Sequence, residues 1–313
     1  MAIIKGAVVQ AAPVLFDTPR TLDKLADLLA DAAGTGAQLI VFPEAFIGGY
    51  PKGLDFGARL GMRSPEGRDD FRRYHGAAID VPGPDTARIG ELVASHGVHL
   101  VIGVIERTPT GTLYCTALFF APDGSLTAKH RKLMPTALER LVWGFGDGAT
   151  LPAPQTDIGT LGAVICWENY MPQLRLAMYA KGVEFYCAPT VDDREVWLPS
   201  MQMIALEGRC FVLSACQHMT RADGPGDYHP IQGDAPETQI IRGGSCIVSP
   251  MGDVLAGPVF DADTILTAEM DKDDITRGKY DLDVVGHYAR PDIFTLDVNE
   301  QAEDLVRRRN DQS

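Results

Sequence analysis

Short apolar runs with strand character alternate with stretches at helical spacing along this chain, and that alternation is the tightest constraint on its fold. Residues 3–11 read as a strand. Behind a Thr18-Pro19 start, Leu22, Leu25, Leu28, Leu29 and Ala32 recur at helical spacing opposite Asp23, Lys24, Asp27 and Asp31. A short buried strand, Leu39 to Phe42, follows. A helix around 85–97 leads to a strand at 98–106, and a hairpin covers 113–131 with its turn at Pro122-Asp123-Gly124. The order then recurs: a strand at 160–166, a helix from 172 to 181, a strand at 183–188, a helix around 195–208 and a strand at 210–216. A second hairpin spans 244–270, turning at 250–253.

Strands alternating with helices in both halves, each with a hairpin, imply α/β layers with helices outside a mostly buried sheet. No low-complexity run or charge block divides the chain, so the expectation is one domain over 1–298 and a short charged tail over 299–313. Residues 50–80 and 219–242, rich in Gly, Pro, Asp and Arg, read as long loops.

The charge balance narrows the partners. Asp plus Glu number 42 against 28 Lys plus Arg, a net charge of -14, which repels phosphate backbones and leaves no basic membrane-binding surface. No run is long enough to span a bilayer and the N-terminus carries no cleavable signal pattern, so the cytoplasm is the expected compartment. The six cysteines, Cys115, Cys166, Cys187, Cys210, Cys216 and Cys246, form no C-x-x-C pair. Free thiols are expected, with neither a zinc site nor a redox dithiol.

Four residues stand out by position. Glu44 follows the strand that ends in Phe42-Pro43, and Cys166 follows Gly162-Ala163-Val164-Ile165; catalysts in α/β sheets gather beyond the carboxyl ends of strands. Lys132 lies in Lys129-His130-Arg131-Lys132-Leu133, and Glu139 comes shortly after it. Singly, each has an ordinary explanation as a solvated loop, surface or core residue. Together, Phe42-Pro43-Glu44-Ala45-Phe46, His130-Arg131-Lys132-Leu133 and Cys166-Trp167-Glu168-Asn169 resemble the nitrilase superfamily of carbon–nitrogen hydrolases, in that family's order. The resemblance runs from Gln10 to about Pro291. It implies a four-layer α-β-β-α sandwich and a catalytic Glu, Lys and Cys. Glu168 two residues after the cysteine resembles the nitrilase branch, whereas amidase-type branches tend to carry Asp there.

That reading fits the chemistry. A nitrile carbon is weakly electrophilic and calls for a thiolate, and Glu44 can take the Cys166 proton and later return it. Lys132, as an ammonium, can stabilise the charge developing on the attacked group and help hold Cys166 as a thiolate. The resemblance makes Glu139 a second carboxylate that orients Lys132 or a water. Tyr50, Trp143, Trp167 and Thr190 flank these segments and can line a pocket for a small organic nitrile, with little fixed charge left over. No step needs a metal or an organic cofactor. The same residues would serve an amidase or a cyanide-hydrolysing relative, while their joint presence speaks against a non-catalytic assembly protein. By resemblance, homo-oligomers built from dimers are expected.

Overall fold

The computed structural model of the protein describes residues 2–302. Most of the expected tail, 303–313, lies outside the described residues. Two large sheets form the body. In the first, strands Ile3–Gln10, Leu39–Val41, His99–Arg107, Leu113–Phe120 and Leu126–Arg131 lie side by side, with Thr264–Asp271 on the outer edge of Ile3–Gln10. In the second, Leu161–Ala163, Phe185–Cys187, Phe211–Ser214, Gln239–Val248 and His218–Thr220 follow one another, and Val254–Phe260 also pairs with Gln239–Val248.

Side-chain alternation divides these strands among three apolar layers. Val8, Leu39, Val41 and Val101 of the first sheet meet Leu161, Phe185, Phe211 and Leu213 of the second in a central layer. From the first sheet's other face, Val9, Ile40, Leu100 and Ile102 pack under Leu22, Leu25 and Leu29 of helix Thr18–Gly34 and Ile89 and Val93 of helix Pro84–His96. From the second sheet, Tyr186, Val212 and Val248 pack under Leu174 and Met178 of helix Pro172–Ala180 and Met201 and Ile204 of helix Trp197–Gly208. The result is the expected order helix, sheet, sheet, helix.

Several local expectations change. Residues 50–80 are not one long loop. Pro65–Ala77 is a helix, capped by Ser64 accepting from Gly67 N, and Ala58–Arg59 pairs with Met62–Arg63. That helix buries only Gly67, Tyr74 and Ala77, so its sequence carries almost no apolar stripe. Asp17, not Thr18, caps the first helix by accepting from Arg20 N. The strand expected at 160–166 is regular only over Leu161–Ala163, because the chain turns into a 3-10 helix at Cys166. The 244–270 segment is no simple hairpin: Val254–Phe260 stays with the second sheet, whereas Thr264–Asp271 pairs antiparallel with Ile3–Gln10 in the first.

Candidate active site

Glu44 leaves the first sheet through a tight passage. Gly103 N donates to Pro43 O, and a Cβ at Gly103 would come within 2.3 Å of that oxygen and 2.6 Å of Ala45 N. Only glycine lets the neighbouring strand approach this closely. Gln217 Nε2, from the second sheet's side, donates to Glu44 O at 2.7 Å. Lys132 extends the 113–131 hairpin by one position, its N–H donating to Cys115 O. Glu139 opens the short helix Glu139–Val142 and accepts from Thr136 N at 2.6 Å.

Cys166 sits where the second sheet's strand breaks. Its φ of +50° lies in the left-handed region, uncommon for a residue with a side chain, and its N–H donates to Pro189 O. Asn169 Nδ2 holds the turn by donating to Val164 O at 2.9 Å and Cys166 O at 2.8 Å.

These segments converge. Lys132 Nζ donates to Glu44 Oε1 at 2.6 Å and to Glu139 Oε2 at 2.8 Å, and the ammonium lies 5.2 Å from the centre of the Trp143 ring. Glu44 and Lys132 are wholly buried. Among the described residues, Glu44 Oε2 has no hydrogen-bond partner, and the Cys166 thiol acts to lower that carboxyl's pKa. Thr190 Oγ1 donates to Cys166 Sγ at 3.2 Å.

Burial sets the electrostatics. It raises the Glu44 pKa, against the pull of Lys132 and with the help of Glu139. Burial also works against the Lys132 ammonium, yet Glu44, Cys166 and Glu139 outweigh it and hold its pKa well above the ordinary lysine value. The Cys166 thiol is pushed up by burial and by Glu44, while Lys132 and the Thr190 hydroxyl pull it down.

A cleft of about 580 Å³ opens onto Cys166 and Glu139, walled by Tyr50, Lys52, Trp167 and Asp192 to Arg194. An apolar recess of about 440 Å³ adjoins it through Tyr50, Lys52 and Glu139, with Leu54, Tyr74 and Trp143 in its walls. Tyr50 donates to Glu139 Oε1 at 2.7 Å, and its ring meets that of Trp143 edge-on at 5.8 Å. Trp167 lines the cleft and donates from Nε1 to Asp192. Thr190 is wholly buried and meets the sulfur rather than the open cleft.

The cleft carries more fixed charge than expected. Lys52 pairs with Asp193 at 3.1 Å and Arg194 with Asp192 across its wall. Among the described residues, no group of three or more His, Cys, Asp or Glu side chains is placed to hold a metal ion.

Residues 5–280 match the carbon-nitrogen hydrolase family. The chain belongs to the carbon-nitrogen hydrolase family. Among relatives of this carbon-nitrogen hydrolase, a nitrilase of Bradyrhizobium diazoefficiens is 58% identical, covering 96% of this chain and 94% of that protein. An aliphatic nitrilase of Sinorhizobium fredii is 56% identical, covering 98% and 99%. The fold is shared with Saccharomyces cerevisiae Nit3, a solved member of the nitrilase superfamily, at a TM-score of 0.71 and 23% identity, over 91% of this chain and 96% of that one.

Sequence reasoning assigned no role to His130 or Glu168, although both lie in the quoted segments. They form a wholly buried pair at 3.0 Å between the lysine and cysteine segments. His130 lies between Lys129 and Arg131, and Glu168 between Trp167 and Asn169, so no local pattern marked either. Nor did one mark Lys52 and Asp193, since 141 residues separate them.

Proposed function

We propose that this carbon-nitrogen hydrolase converts an organic nitrile and two waters to a carboxylic acid and ammonia. Cys166 is the nucleophile, Glu44 the general base and acid, Lys132 the cation that stabilises developing negative charge, and Glu139 the carboxylate that holds Lys132. The observation that carries this reading is the buried run from Glu44 through Lys132 to Glu139 beside a thiol that faces a cleft. The two nitrilases, each more than half identical over nearly the full chain, support the substrate class.

In the first step the thiol proton passes to Glu44 as sulfur bonds to the nitrile carbon, and the proton then reaches nitrogen to give a thioimidate. Glu44 next deprotonates a water that adds to the same carbon. Protonated nitrogen leaves as ammonia, and a thioester remains. A second water, activated in the same way, releases the acid and restores the thiol. If the tetrahedral intermediate expels sulfur instead of ammonia, one water is consumed and the amide is released. In this order the proton needed on nitrogen enters with the nucleophile.

The charged cleft wall and the adjoining apolar recess together suit a small or medium nitrile whose side group has both characters. We take residues 1–298 as one catalytic domain working in a homo-oligomer of symmetric dimers in the cytoplasm. Among the described residues, no helix is long and apolar enough to cross a membrane. Light scattering tests the assembly, and a strict monomer at micromolar concentration counts against it.

The activity is tested by giving the enzyme matched nitriles and amides and measuring ammonia, acid and amide. Equimolar ammonia and acid from the nitrile is the expected result. Ammonia from the amide but none from the nitrile would replace this reading with an amidase.

A further inference from the structure

The nucleophile and the ammonium arrive from different sheets, so something must fix their separation. One buried side chain touches the chain neighbour of each. Glu168 Oε1 accepts from the N–H of Leu133, next to Lys132, at 2.6 Å. Glu168 Oε2 accepts from the N–H of Ile165, next to Cys166, at 3.0 Å. His130 Nε2 lies 3.0 Å from the same Oε2, and its Nδ1 lies 2.6 Å from Thr150 O.

The donors and acceptors settle the protonation pattern. A carbonyl can only accept, so Nδ1 carries a proton. Both Glu168 oxygens already accept backbone N–H groups, so Nε2 also donates, and the pair is an imidazolium on a carboxylate. The pKa direction agrees: burial works against the charged ring, yet Glu168 raises the His130 value above the ordinary one. Charge-assisted hydrogen bonds of this kind are short and stiff, and both side chains are closed off from water. Neither side chain lines the cleft, so neither can act on substrate directly.

We propose that Glu168 and His130 are positioning residues, a buried clamp that ties the Lys132 segment to the Cys166 turn and thereby sets the distance from ammonium to sulfur. The proposal rests on the catalytic reading of Cys166 and Lys132 given above. Glu168→Gln keeps the shape of the clamp but turns one acceptor oxygen into an NH₂ donor. That donor cannot serve a backbone N–H, so one tie loosens. His130→Gln keeps one of the ring's two hydrogen bonds.

The test measures kcat and KM per active site, with sites counted by alkylation of Cys166. A shift of an ångström in reacting geometry costs about 100-fold. Glu168→Gln is therefore expected to lower kcat by about 100-fold and His130→Gln by about 10-fold, with KM within about 2-fold of the parent. A merely structural role lowers the melting temperature and the yield of folded protein but leaves kcat per titrated site unchanged, and that result overturns the clamp. If Glu168→Gln does not fold, His130→Gln carries the test by the same criterion. Cys166→Ala is run alongside: turnover in that variant overturns the nucleophile assignment itself, whereas parent-like kcat in the clamp variants overturns only the clamp.

Discussion

Thr190 Oγ1 donates to the Cys166 sulfur at 3.2 Å while accepting from the backbone N–H of Asp192 at 2.9 Å. The accepted bond fixes the hydroxyl's direction, so its proton points at sulfur. This bond lowers the Cys166 pKa against the upward push of burial and Glu44. Thr190→Val removes the donor at nearly constant volume. Alkylation of Cys166 then shifts to higher pH and kcat falls by about 10-fold, as for one lost hydrogen bond to a developing charge. Thr190→Ser restores most of the activity. An unchanged alkylation profile in Thr190→Val counts against the assignment.

Cys166→Ala and Cys166→Ser should both abolish turnover without unfolding the protein, since a serine hydroxyl is far less acidic than a thiol. Cys166 also stands apart among the thiols. It is 4% exposed and faces the cleft, while Cys187, Cys210, Cys216 and Cys246 are at 0%. Iodoacetamide should label Cys166 alone in the native protein, as read by peptide mass mapping. Replacing Cys187 or Cys246 by Ala should leave kcat unchanged and cost about 1–2 kcal/mol of stability from lost packing.

Glu44→Gln and Lys132→Ala should each remove most of the activity. Groups that act as a unit give non-additive losses, so the double variant should be little worse than either single one. Losses in kcat that multiply fully would mean that the two residues act independently.

The acid limb of the kcat/KM profile should follow Glu44. Burial raises its pKa from the ordinary 4.5, so the ionised base is lost on acidification at a higher pH than that of a free carboxylate. Glu139 contributes to the rise through its charge. Glu139→Gln removes that contribution, so the limb should move to lower pH while kcat falls through the loosened Lys132. A limb that stays in place or moves up in Glu139→Gln contradicts this arrangement.

The parts of the protein legible in its sequence are those governed by short-range pattern. Strands such as Ile3–Gln10 and His99–Arg107 and helix Thr18–Gly34 announce themselves by spacing, and the strand ends drew attention to Glu44 and Cys166. Lys132 was a different matter: a lysine in a basic tetrapeptide reads as surface on its own, and its place in the site rested on the resemblance, yet the fold buries it completely. Helix Pro65–Ala77 was hidden because its buried contacts are few and one of them is a glycine, Gly67, whose added Cβ would meet Phe56 O at 1.9 Å. The early end of the strand before Cys166 depends on Glu168, whose side chain accepts from Ile165 N and from distant Leu133 N. Part of the charge on the cleft wall joins partners far apart in sequence, Lys52 with Asp193, which no local pattern encodes.

The chain's path from residue 254 to 271 has a bearing on when its two sheets can be completed. Its first stretch completes a pairing in the sheet that leads into Cys166, and its second fills the edge beside Ile3–Gln10 in the sheet that bears Glu44 and Lys132. Strand Ile3–Gln10 therefore waits for Thr264–Asp271, made much later, before its outer edge is covered. Such distant pairing is slow, because the intervening chain must be closed into a loop before the contact forms. During synthesis Cys166 and Glu44 belong to halves that this late strap has not yet joined. A nascent chain that has not yet reached Thr264 carries Glu44, Lys132 and Cys166 but lacks the strand that covers the outer edge of Ile3–Gln10.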